Sequence, residues 1–503
     1  MMKGKNYQAG NSAVQKIKKN KTLLMNIIYE VLKKWLVSIK EDELPPVYLV
    51  GGAVRDYLLG RSINDIDLIC RNAKQTALKL ASHRNAAVIS FEKKADEPCY
   101  RVVDRGDKNN FLDISPVRGS SIADDLARRD FTINAMAMRI DSTGKPGAVI
   151  DPLNGRDDLE KNLIRLTRVE AINSDPLRIL RAIRFAAVFG FTIEENTLAV
   201  MKNNVALLAD VAAERIMAEL FKILNTDNSS KFIRLMDSLG ILEIIIPEIK
   251  PMKGCRQNEY HHLDVWEHSL AALENVEKII VRLKDNFAQT TKQVAGNLEK
   301  GNRLPLMKVG ALLHDIGKPC ARQIVPGSGK IIFHGHDQTG SKIIAEITRR
   351  LKMSKQDREY LQILVGEHMH ILNFCHSDVR SNVRSKTCLK WFRKLKDDII
   401  PLLIMEMADI MSTCGPLSGK TKRDELIQRL KEMVCDYYKE IKIIIERKDL
   451  ISGRDLIELG MKPGPAMGRV LNYIRDARDK GLIKTRSEAL VLVKERGGNN
   501  FHK

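Results

Sequence analysis

The sequence lacks the features that would place this 503-residue chain in a membrane or in an oxidising compartment. No uninterrupted apolar run reaches 18 residues, and residues 1–22 are polar and basic, without the apolar core of a secretory signal. The eight cysteines show no C-x-x-C and no paired spacing, which argues against a disulfide framework. We therefore expect a cytoplasmic protein with reduced thiols and no membrane partner.

Aromatic residues are also scarce, at 5% of the chain, whereas positive charge is abundant. The scarcity argues against a stacking platform for single-stranded nucleic acid. A net charge of +20 instead indicates a polyanionic partner, most commonly nucleic acid, with a merely soluble basic surface as the alternative. The basic clusters are Lys16, Lys18, Lys19 and Lys21, the run 420–423 and the stretch 484–496. With 44% apolar residues the chain is globular, and its length predicts about three or four domains.

The stretch 48–69 contains the first candidate functional residues. It predicts a strand, a turn at Gly51-Gly52, a short helix containing Arg55, and a second strand with Asp65 and Asp67. Since strand side chains alternate between faces, both carboxylates would project from one face, with Cα atoms about 6.5 Å apart. Two carboxylates beside a glycine turn suit a divalent metal and a polyphosphate. A D-x-D pair alone is more typical of a solvated strand, so the turn and the arginine carry the interpretation.

Three further strands are predicted near residues 87–91, 100–103 and 111–115. The last of these carries Asp113 in an alternating pattern. If it lies beside the strand of Asp65 and Asp67, Asp113 completes a three-carboxylate cluster, which can hold two metal ions about 4 Å apart for phosphoryl transfer. An ordinary aspartate at a strand edge is an equal alternative.

A dense polar block follows at residues 125–137, with Arg128, Arg129, Asp130 and Asn134 beside a predicted apolar helix. Guanidinium groups suit phosphate oxygens, and aspartate and asparagine suit ribose hydroxyls, although such residues also make helix caps and salt bridges. Residues 151–159 predict a turn or hinge, and the chain from 163 to 245 predicts helices.

The motifs GGAVRDYLLGR…DIDL, DLARRDFTINAMA and DPLNGRDDL, in this order, resemble the bacterial tRNA nucleotidyltransferase and poly(A) polymerase family. These are the class II enzymes of the polymerase β-like nucleotidyltransferase superfamily. Residues 174–185 resemble the family's fourth motif, and residues 214–220 resemble its fifth.

The resemblance implies roles for the matched positions. Asp65 and Asp67 would carry the catalytic Mg²⁺ ions, and Asp113, from the strand argument above, would complete the catalytic set. Gly51, Gly52 and Arg55 would contact the triphosphate. The remaining nucleotide-binding positions would be Arg129, Asp130 and Asn134 at the ribose and phosphate end, and Asp175, Arg178, Arg181 and Arg184 on the base-reading helix.

Asp175 and Arg178 would read the Watson–Crick edge of the incoming base without a nucleic-acid template. The residues themselves allow a weaker version of this reading, because Asp175 before Pro176 is also a good helix cap. A carboxylate and a guanidinium can pair together with C or A, which offer exocyclic N–H donors. Ser174 departs from the acidic residue that many family members have there, which puts the precision of base recognition in doubt.

Nine of the eleven histidines fall between His261 and His376. An adjacent His314-Asp315, with His268 upstream and Asp409 downstream on other helices, can form a mixed imidazole and carboxylate metal site. Lone histidines are more often surface or core residues, and it is their concentration that favours a metal site.

This order resembles the HD-domain metal-dependent phosphohydrolases, which some bacterial tRNA nucleotidyltransferases carry after the polymerase half. The resemblance implies a divalent transition metal at His268, His314, Asp315 and Asp409, with His336 and His368 matching the extra ligands of two-metal HD proteins. There the domain is associated with phosphatase or 2′,3′-cyclic phosphodiesterase activity.

The expected fold is an α+β polymerase β-like nucleotidyltransferase head followed by an all-α neck and body, an all-α HD domain and a helical tail. The predicted boundaries are a basic N-terminal extension at 1–46, the head at 47–150, the neck and body at 151–260, the HD domain at 261–412 and the tail at 413–503. Within them we expect a helix with Leu23, Ile27, Leu32 and Leu36 on its apolar face, and a loop at 284–303.

The leading functional hypothesis is template-independent addition of CCA, or part of it, to the 3′ end of tRNA from CTP and ATP. Mg²⁺ would activate the tRNA 3′-hydroxyl and stabilise the departing pyrophosphate. A poly(A) polymerase is disfavoured, because residues 87–96 lack the basic-aromatic patch such enzymes usually show. CC-only or A-only addition stays open. From other classes, an HD phosphohydrolase with an RNA-binding head and an inactive tRNA-binding scaffold remain alternatives.

Overall fold

The computed structural model describes residues 23–36, 45–63, 65–91, 98–376, 386–415 and 417–495. The chain divides into two compact units. Unit 1 comprises Met1–Thr226 and Leu235–Ile245, and unit 2 comprises Asp227–Arg234 and Ile246–Lys503. Residues 1–22 of the predicted basic extension lie outside the described residues. A search of the described helices found none that is both long and apolar enough to span a membrane.

Unit 1 is built on a seven-stranded mixed sheet with the strand order β3-β4-β5-β2-β1-β6-β7. Its strands and the helices among them are α1 (23–36), β1 (Val47–Val50), α2 (Gly52–Leu59), β2 (Asp67–Cys70), α3 (Ala73–Ser82), β3 (Ala86–Phe91), β4 (Cys99–Asp104), β5 (Phe111–Pro116), α4 (Ile122–Ala127), β6 (Ala137–Ile140) and β7 (Pro146–Ile150). Strand β5 does lie beside β2, as the three-carboxylate hypothesis requires, and the two are parallel with Asp67 opposite Asp113.

Several local expectations need correction. Strand β2 begins at Asp67, so Asp65 precedes the strand instead of lying on it. The block after Asp130 forms a 3₁₀ turn (Thr132–Asn134) and then β6, not an apolar helix. The apolar run at residues 135–140 is buried by pairing with β1, and a central strand can be as continuously apolar as a buried helix.

Helix α1 exists, and two of its four predicted apolar positions, Leu32 and Leu36, are buried. Leu23 and Ile27 are 59% and 46% exposed, whereas Ile28, Leu32 and Trp35 are fully buried. The indole Nε1 of Trp35 donates to Asn110 Oδ1, which places this face against the end of β5. An apolar pattern with candidates on two sides of a helix does not say which side will be covered.

The rest of unit 1 is mainly helical. Its elements are α5 (Gly155–Glu160), β8 (Leu163–Ile164), α6 (Ala171–Ser174), α7 (Arg178–Phe189), β9 (Thr192–Ile193), α8 (Glu195–Asn203), a 3₁₀ helix (Val205–Asp210), α9 (Ala213–Leu224) and α11 (Ile241–Ile245). Helix α5 lies within the predicted hinge, because Asp151 accepts the free N–H groups of Gly155 and Arg156 and so starts a helix there. The short parallel pair β8–β9 was not expected.

Unit 2 is almost entirely helical. Its elements are a 3₁₀ helix (Pro247–Met252), α12 (Val265–Val281), α13 (Leu283–Asn286), α14 (Thr291–Leu298), α15 (Arg303–Leu313), α16 (Lys318–Ala321), β10 (Gln323–Ile324), β11 (Ile331–Ile332), α17 (His336–Arg350), α18 (Lys355–His376), α19 (Lys386–Leu395), α20 (Ile399–Ser412), α21 (Lys420–Asp436), a π-helical turn (Tyr437–Ile441), α22 (Lys442–Ile445), α23 (Gly453–Glu458), α24 (Pro465–Asp479) and α25 (Arg486–Glu495). Helix α10 (Ser229–Ser238) begins in unit 2. The predicted loop at 284–303 was wrong: it contains α14, which buries Val294 and Leu298, one helical turn apart.

Helices α12, α15, α17, α18 and α20 pack together as the core of unit 2. A buried ion pair joins α12 to α15, with Lys308 Nζ 2.9 Å from Glu277 Oε1. Glu277 also accepts hydrogen bonds from the hydroxyl groups of Ser229 and Ser230 and from the Ser230 amide, so it caps the start of α10. These helices bring together residues that are up to 141 positions apart in the chain.

Candidate nucleotide site and candidate metal centre

One cleft of unit 1, about 640 Å³ in volume, gathers most of the predicted nucleotide-site residues. It is lined by Gly51, Gly52, Arg55, Asp67, Arg129, Asp130, Asn134, Asp175, Arg178, Arg181 and Arg184. Asp65 and Asp113 are not among its lining residues. Eight arginines and four aspartates line the cleft, so its field is strongly positive and suits a polyanion such as a triphosphate.

The glycine turn between β1 and α2 shapes one wall of the cleft. Gly51 has φ 69°, a left-handed backbone conformation that side chains disfavour. A Cβ atom at this position would lie 3.0 Å from Nη1 of Arg129. Gly51 therefore lets the Arg129 guanidinium lie against the backbone at the start of α2, where free N–H groups also point outward.

A buried hydrogen-bond network forms the floor of the cleft. Arg55 Nη1 donates to Asn134 Oδ1 over 2.6 Å, and Asn134 Nδ2 donates to Asp130 Oδ1 over 3.0 Å. Asp130 Oδ1 also accepts from the Phe131 amide, and its Oδ2 accepts from Nε of Arg181 over 2.9 Å. Although burial disfavours the charged form, the adjacent Arg181 and Asn134 hold the pKa of Asp130 below its usual value. Asp130 is thus an ionised anchor for Arg181.

The predicted base-reading pair already has protein partners in this structure. Asp175 Oδ2 lies 2.9 Å from Nη2 of Arg215, a residue of the fifth motif. The Arg178 guanidinium donates to three backbone carbonyls, those of Arg128, Arg129 and Ala171. Both side chains therefore present their remaining polar atoms to the cleft from fixed positions.

The three predicted catalytic carboxylates lie at the edge of this cleft and on the sheet beside it. Desolvation by the surrounding protein raises the pKa of Asp67, and the negative charge of Asp113 raises it further. Asp113 is bound by Arg101, whose Nε and Nη2 donate to its two oxygens over 2.7 Å each. Among the described residues, the ligand atoms of Asp65, Asp67 and Asp113 do not form a group within 4.8 Å. The donor set nevertheless fits a divalent cation, because adjacent carboxylates repel one another until a cation neutralises them.

Sequence reasoning missed several residues of the cleft: Arg118, Asp125, Arg168 and Phe185. Asp125 orients Arg129 through an ion pair of 3.1 Å. Phe185 lies under the guanidinium groups of Arg55, Arg181 and Arg184, with distances of 4.1–5.4 Å to its ring. The i, i+3 and i+4 spacing of Arg181, Arg184 and Phe185 on one helix was a usable signal, whereas Arg118 and Arg168 had no motif to mark them.

The predicted metal ligands of unit 2 converge at one place. His268 lies on α12, His314 ends α15, His336 begins α17, and His368 lies on α18. Asp315 follows His314, and Asp409 lies on α20. Two groups of ligand atoms lie within 4.8 Å of one another: His268, His314 and Asp409 form the first, and Asp315, His336 and His368 the second.

Asp315 connects the two groups. Its Oδ2 lies 3.1 Å from Nε2 of His314, and its Oδ1 lies 3.3 Å from Nε2 of His336. His268 Nε2 is 2.6 Å from Asp409 Oδ1, and His336 Nε2 is 3.2 Å from His368 Nε2. Lys318 Nζ also lies 2.6 Å from Asp315 Oδ2, so Oδ1 faces the second group and Oδ2 lies between His314 and Lys318.

The imidazole rings are held in a tautomer that suits metal binding. Nδ1 of His314, His336 and His368 each lies 2.7–2.8 Å from a backbone carbonyl, to which it must donate. Their Nε2 atoms therefore face the site as available ligands. Burial lowers the pKa of His368 to about 4, which keeps this ring neutral at physiological pH. The donor set fits a divalent transition metal.

Comparison with known families identifies domains of known type along the chain. The family model "Poly A polymerase head domain" matches residues 47–165, and "HD domain" matches residues 265–409. "Probable RNA and SrmB- binding site of polymerase A" matches 190–253, and "tRNA nucleotidyltransferase domain 2" matches 408–493. A polymerase-type head, a helical body and an HD domain therefore follow one another along the chain, as the sequence predicted.

Among curated proteins, the A-adding tRNA nucleotidyltransferase of Deinococcus radiodurans is 30% identical over 89% of this chain and 95% of its own length. The CC-adding tRNA nucleotidyltransferase of Thermus thermophilus is 29% identical over 89% and 93%. The multifunctional CCA protein of Neisseria gonorrhoeae is 32% identical over 68% and 78%. The chain belongs to the tRNA nucleotidyltransferase family, and it is a nucleotidyltransferase.

Solved structures share the fold. A CCA-adding enzyme in complex with CTP aligns with a TM-score of 0.60 and 23% identity, covering 95% of this chain and 98% of that one. The Thermotoga maritima CCA-adding enzyme complexed with tRNA aligns with a TM-score of 0.58 and 24% identity, covering 93% and 94%.

Proposed function

We propose that this enzyme adds C and A nucleotides, as CCA or as part of it, to the 3′ end of tRNA from CTP and ATP. The observation that carries the proposal is an arginine-lined cleft that is bordered by the glycine turn, by Asp67, and by Asp175 and Arg178 around the start of α7. The glycine turn and arginines can bind the phosphates, and Asp175 and Arg178 can contact the base in the same cavity. This arrangement suits a nucleoside triphosphate that is selected by protein side chains without a nucleic-acid template. Its tRNA partner accounts for the net charge of +20. The proposed location is the cytoplasm.

In this proposal the acceptor 3′-hydroxyl attacks the α-phosphate, and pyrophosphate departs. The Gly51-Gly52 turn, Arg55 and Arg129 bind the triphosphate and offset the negative charge that builds up on the leaving group. Asp65, Asp67 and Asp113 would hold Mg²⁺, which supplies a Lewis acid for the phosphoryl oxygens and lowers the pKa of the attacking hydroxyl. Asp130 and Asn134 keep the arginines in place.

Base choice is assigned to Asp175 and Arg178. A carboxylate accepts the exocyclic N–H of C or A, and a guanidinium donates to a ring nitrogen or carbonyl. Arg215 binds Oδ2 of Asp175, and the Leu177 amide donates to Oδ1 over 3.3 Å. A base would therefore share Oδ1 with that amide, or Arg215 moves when the base arrives. Ser174 lines the cleft beside this pair in place of an acid.

Partial addition is the second form of this function. The A-adding and CC-adding relatives match this chain over 89% of its length, whereas the Neisseria multifunctional CCA protein matches it over 68%. The experiment supplies tRNA without CCA, and tRNA ending in CC, with labelled CTP, ATP or both, in Mg²⁺. Two C additions and one A addition indicate the full activity, and one nucleotide type alone indicates a partial enzyme. A long A tract on unrelated RNA would indicate a poly(A) polymerase, and no incorporation with any substrate contradicts the proposal.

We also propose phosphohydrolase activity at the HD site, because six ligand side chains converge there. Four of them, Asp315, His336, His368 and Asp409, line a cavity of about 470 Å³. The cavity is open to a phosphoester, and Lys318 and Arg423 line it as phosphate partners. The metal is proposed to be a divalent transition metal. The test measures hydrolysis of p-nitrophenyl phosphate and of 2′,3′-cyclic AMP after chelation and after return of Mn²⁺, Ni²⁺, Co²⁺ or Zn²⁺. If no metal restores hydrolysis of either compound, the HD site is not a phosphohydrolase for these classes.

A further inference from the structure

Among the described residues, the strands β3, β4 and β5 leave one face of the sheet partly exposed beside the predicted catalytic carboxylates. Their other face is closed, since Tyr100, Val102, Leu112 and Ile114 are at most 8% exposed and α3 packs on these strands. On the open face, Ile89 and Phe91 of β3 are 46% and 43% exposed. Two exposed apolar side chains next to each other on a strand are costly in water unless a partner covers them.

The strand register connects this face directly to the catalytic strand. Ile89 pairs with Arg101, Arg101 pairs with Asp113, and Asp113 pairs with Asp67. Residues opposite one another in neighbouring strands share a face. A single row therefore runs from Asp67 across the sheet to the edge strand β3, which is a distance of three strand spacings, or about 14 Å.

Arg101 lies in the middle of this row between two aromatic rings. Its guanidinium carbon is 4.1 Å from the ring centre of Phe111 and 5.6 Å from that of Phe91. The same guanidinium holds both oxygens of Asp113. Since Arg101 is positive and is flanked by flat apolar groups, this surface combines a phosphate partner with stacking surfaces for bases.

The direction of in-line attack indicates which molecule would bind to the open face. In phosphoryl transfer the attacking and leaving oxygens lie in line on opposite sides of the phosphorus atom. The triphosphate wall of the cleft, with Gly51 and Gly52 next to β1, lies on one side of Asp67. The attacking hydroxyl must then approach from the opposite side, where β5, β4 and β3 present the open face.

We propose that the open face formed by Ile89, Phe91, Arg101 and Phe111 binds the 3′-terminal nucleotides of the RNA acceptor, with a base stacked on Phe91 and Arg101 facing its phosphate. This inference rests on the proposed function and deepens it, because it assigns the acceptor to a surface outside the nucleotide cleft. Arg101 also acts as a positioning residue, since it orients Asp113.

The test compares Phe91→Ala, Phe91→Trp and Ile89→Ser with the matched control Leu78→Ala. Leu78 is 53% exposed on α3, the helix that covers the opposite face of the same strands. Initial rates are measured with tRNA lacking its 3′ end, once with tRNA varied and once with CTP or ATP varied. Melting temperatures within about 2 °C of the wild type confirm that each variant is folded.

Phe91→Ala should raise KM for tRNA by about tenfold, which is the lower part of the range for losing one stacked base, and leave KM for the nucleotide within about twofold. Ile89→Ser should act in the same direction, Phe91→Trp should keep KM for tRNA near the wild-type value, and Leu78→Ala should change neither constant. As a measurement independent of turnover, 2-aminopurine at the 3′ terminus of the tRNA should be quenched on binding to the wild type and less so with Phe91→Ala.

The experiment distinguishes failure of the proposed function from failure of the acceptor-binding inference. If the wild type adds no nucleotide to any tRNA, the proposed function fails. If the wild type adds nucleotides while Phe91→Ala and Ile89→Ser match Leu78→Ala in KM for tRNA and in quenching, the open face does not bind the acceptor. An equal rise of KM for tRNA and for the nucleotide would also overturn the inference, because it would place these side chains in the nucleotide site.

Discussion

Replacing Asp130 with alanine removes the anchor of the nucleotide cleft, and the structure allows its cost to be worked out. The Asp130 side chain is 8% exposed and that of Arg181 is 33% exposed. Leaving one partner of a fully buried ion pair costs about 3–5 kcal/mol, and we take about 2 kcal/mol here because water reaches a third of Arg181. The Phe131 amide and the Asn134 amide also lose an acceptor, for about 1 kcal/mol together. The total is about 3 kcal/mol.

The consequence is measurable in unit 1 by thermal unfolding. For a domain of this size, about 3 kcal/mol corresponds to a fall in melting temperature of about 6–12 °C. Asp157→Ala is the matched control, because Asp157 is an exposed aspartate in the same unit and should change the melting temperature by no more than about 2 °C. Equal melting temperatures for Asp130→Ala and the wild type would refute the estimate.

The same variant separates a positioning role from direct contact with the ribose. If Asp130 acts through Arg181, the KM for ATP and the KM for dATP should rise by the same factor, about tenfold, because the arginine loses its orientation for either nucleotide. If Asp130 instead binds the 2′-hydroxyl, the preference for ATP over dATP should fall. A loss of this preference would contradict the role that the hydrogen bonds indicate.

Four other substitutions test the remaining sites. Asp67→Ala should reduce nucleotide addition by about 10³-fold or more, yet leave phosphatase activity unchanged, and a parallel loss of both would mean that the two sites are not independent. Gly51→Ala, which requires a left-handed backbone at alanine, should lower the free energy of unfolding by about 1–2 kcal/mol and raise KM for the nucleotide. Asp315→Ala should remove most of the Mn²⁺ bound at equilibrium dialysis, because this residue supplies an oxygen to both ligand groups, and unchanged metal content would contradict the assignment. Glu277→Gln should cost about 3 kcal/mol in urea unfolding, because it removes the negative charge that balances the buried ammonium of Lys308. Lys308→Met should cost about 1 kcal/mol, since Glu277 keeps its serine partners on α10, and the reverse order would contradict this account.

Much of the candidate site was predictable because its residues lie in short local motifs. The Gly51-Gly52 turn, Arg55 and the Asp175…Arg178 spacing each occupy a few consecutive positions, so their relation is set by the geometry of one turn or one helix. The HD ligands were predictable as a set because histidines are otherwise rare in this chain. In contrast, Arg101 has no motif, and its bond to Asp113 follows only from the pairing of β4 with β5.

Local composition was least informative where burial decides the outcome. The polar stretch 284–303 looks like a loop, yet α14 forms there because two apolar residues one turn apart are enough to bury one side of it. The sequence of β6 and the residues before it predicts a helix, because a strand that is mostly buried shows little alternation of apolar and polar residues. Likewise, the covered side of α1 depends on Asn110, which lies 75 residues after Trp35.

By itself, the sequence determined the family of this protein, the order of its head, helical body and HD domain, and the residue types of both sites, because covalent order and local motifs carry that information. Tertiary structure alone decided how those residues are used: that Asp130 anchors Arg181, that Asp315 serves two ligand groups, and that Asp67 continues into an open face of the sheet. Each of these depends on contacts between residues dozens of positions apart, which arise only when the strands pair and the helices pack.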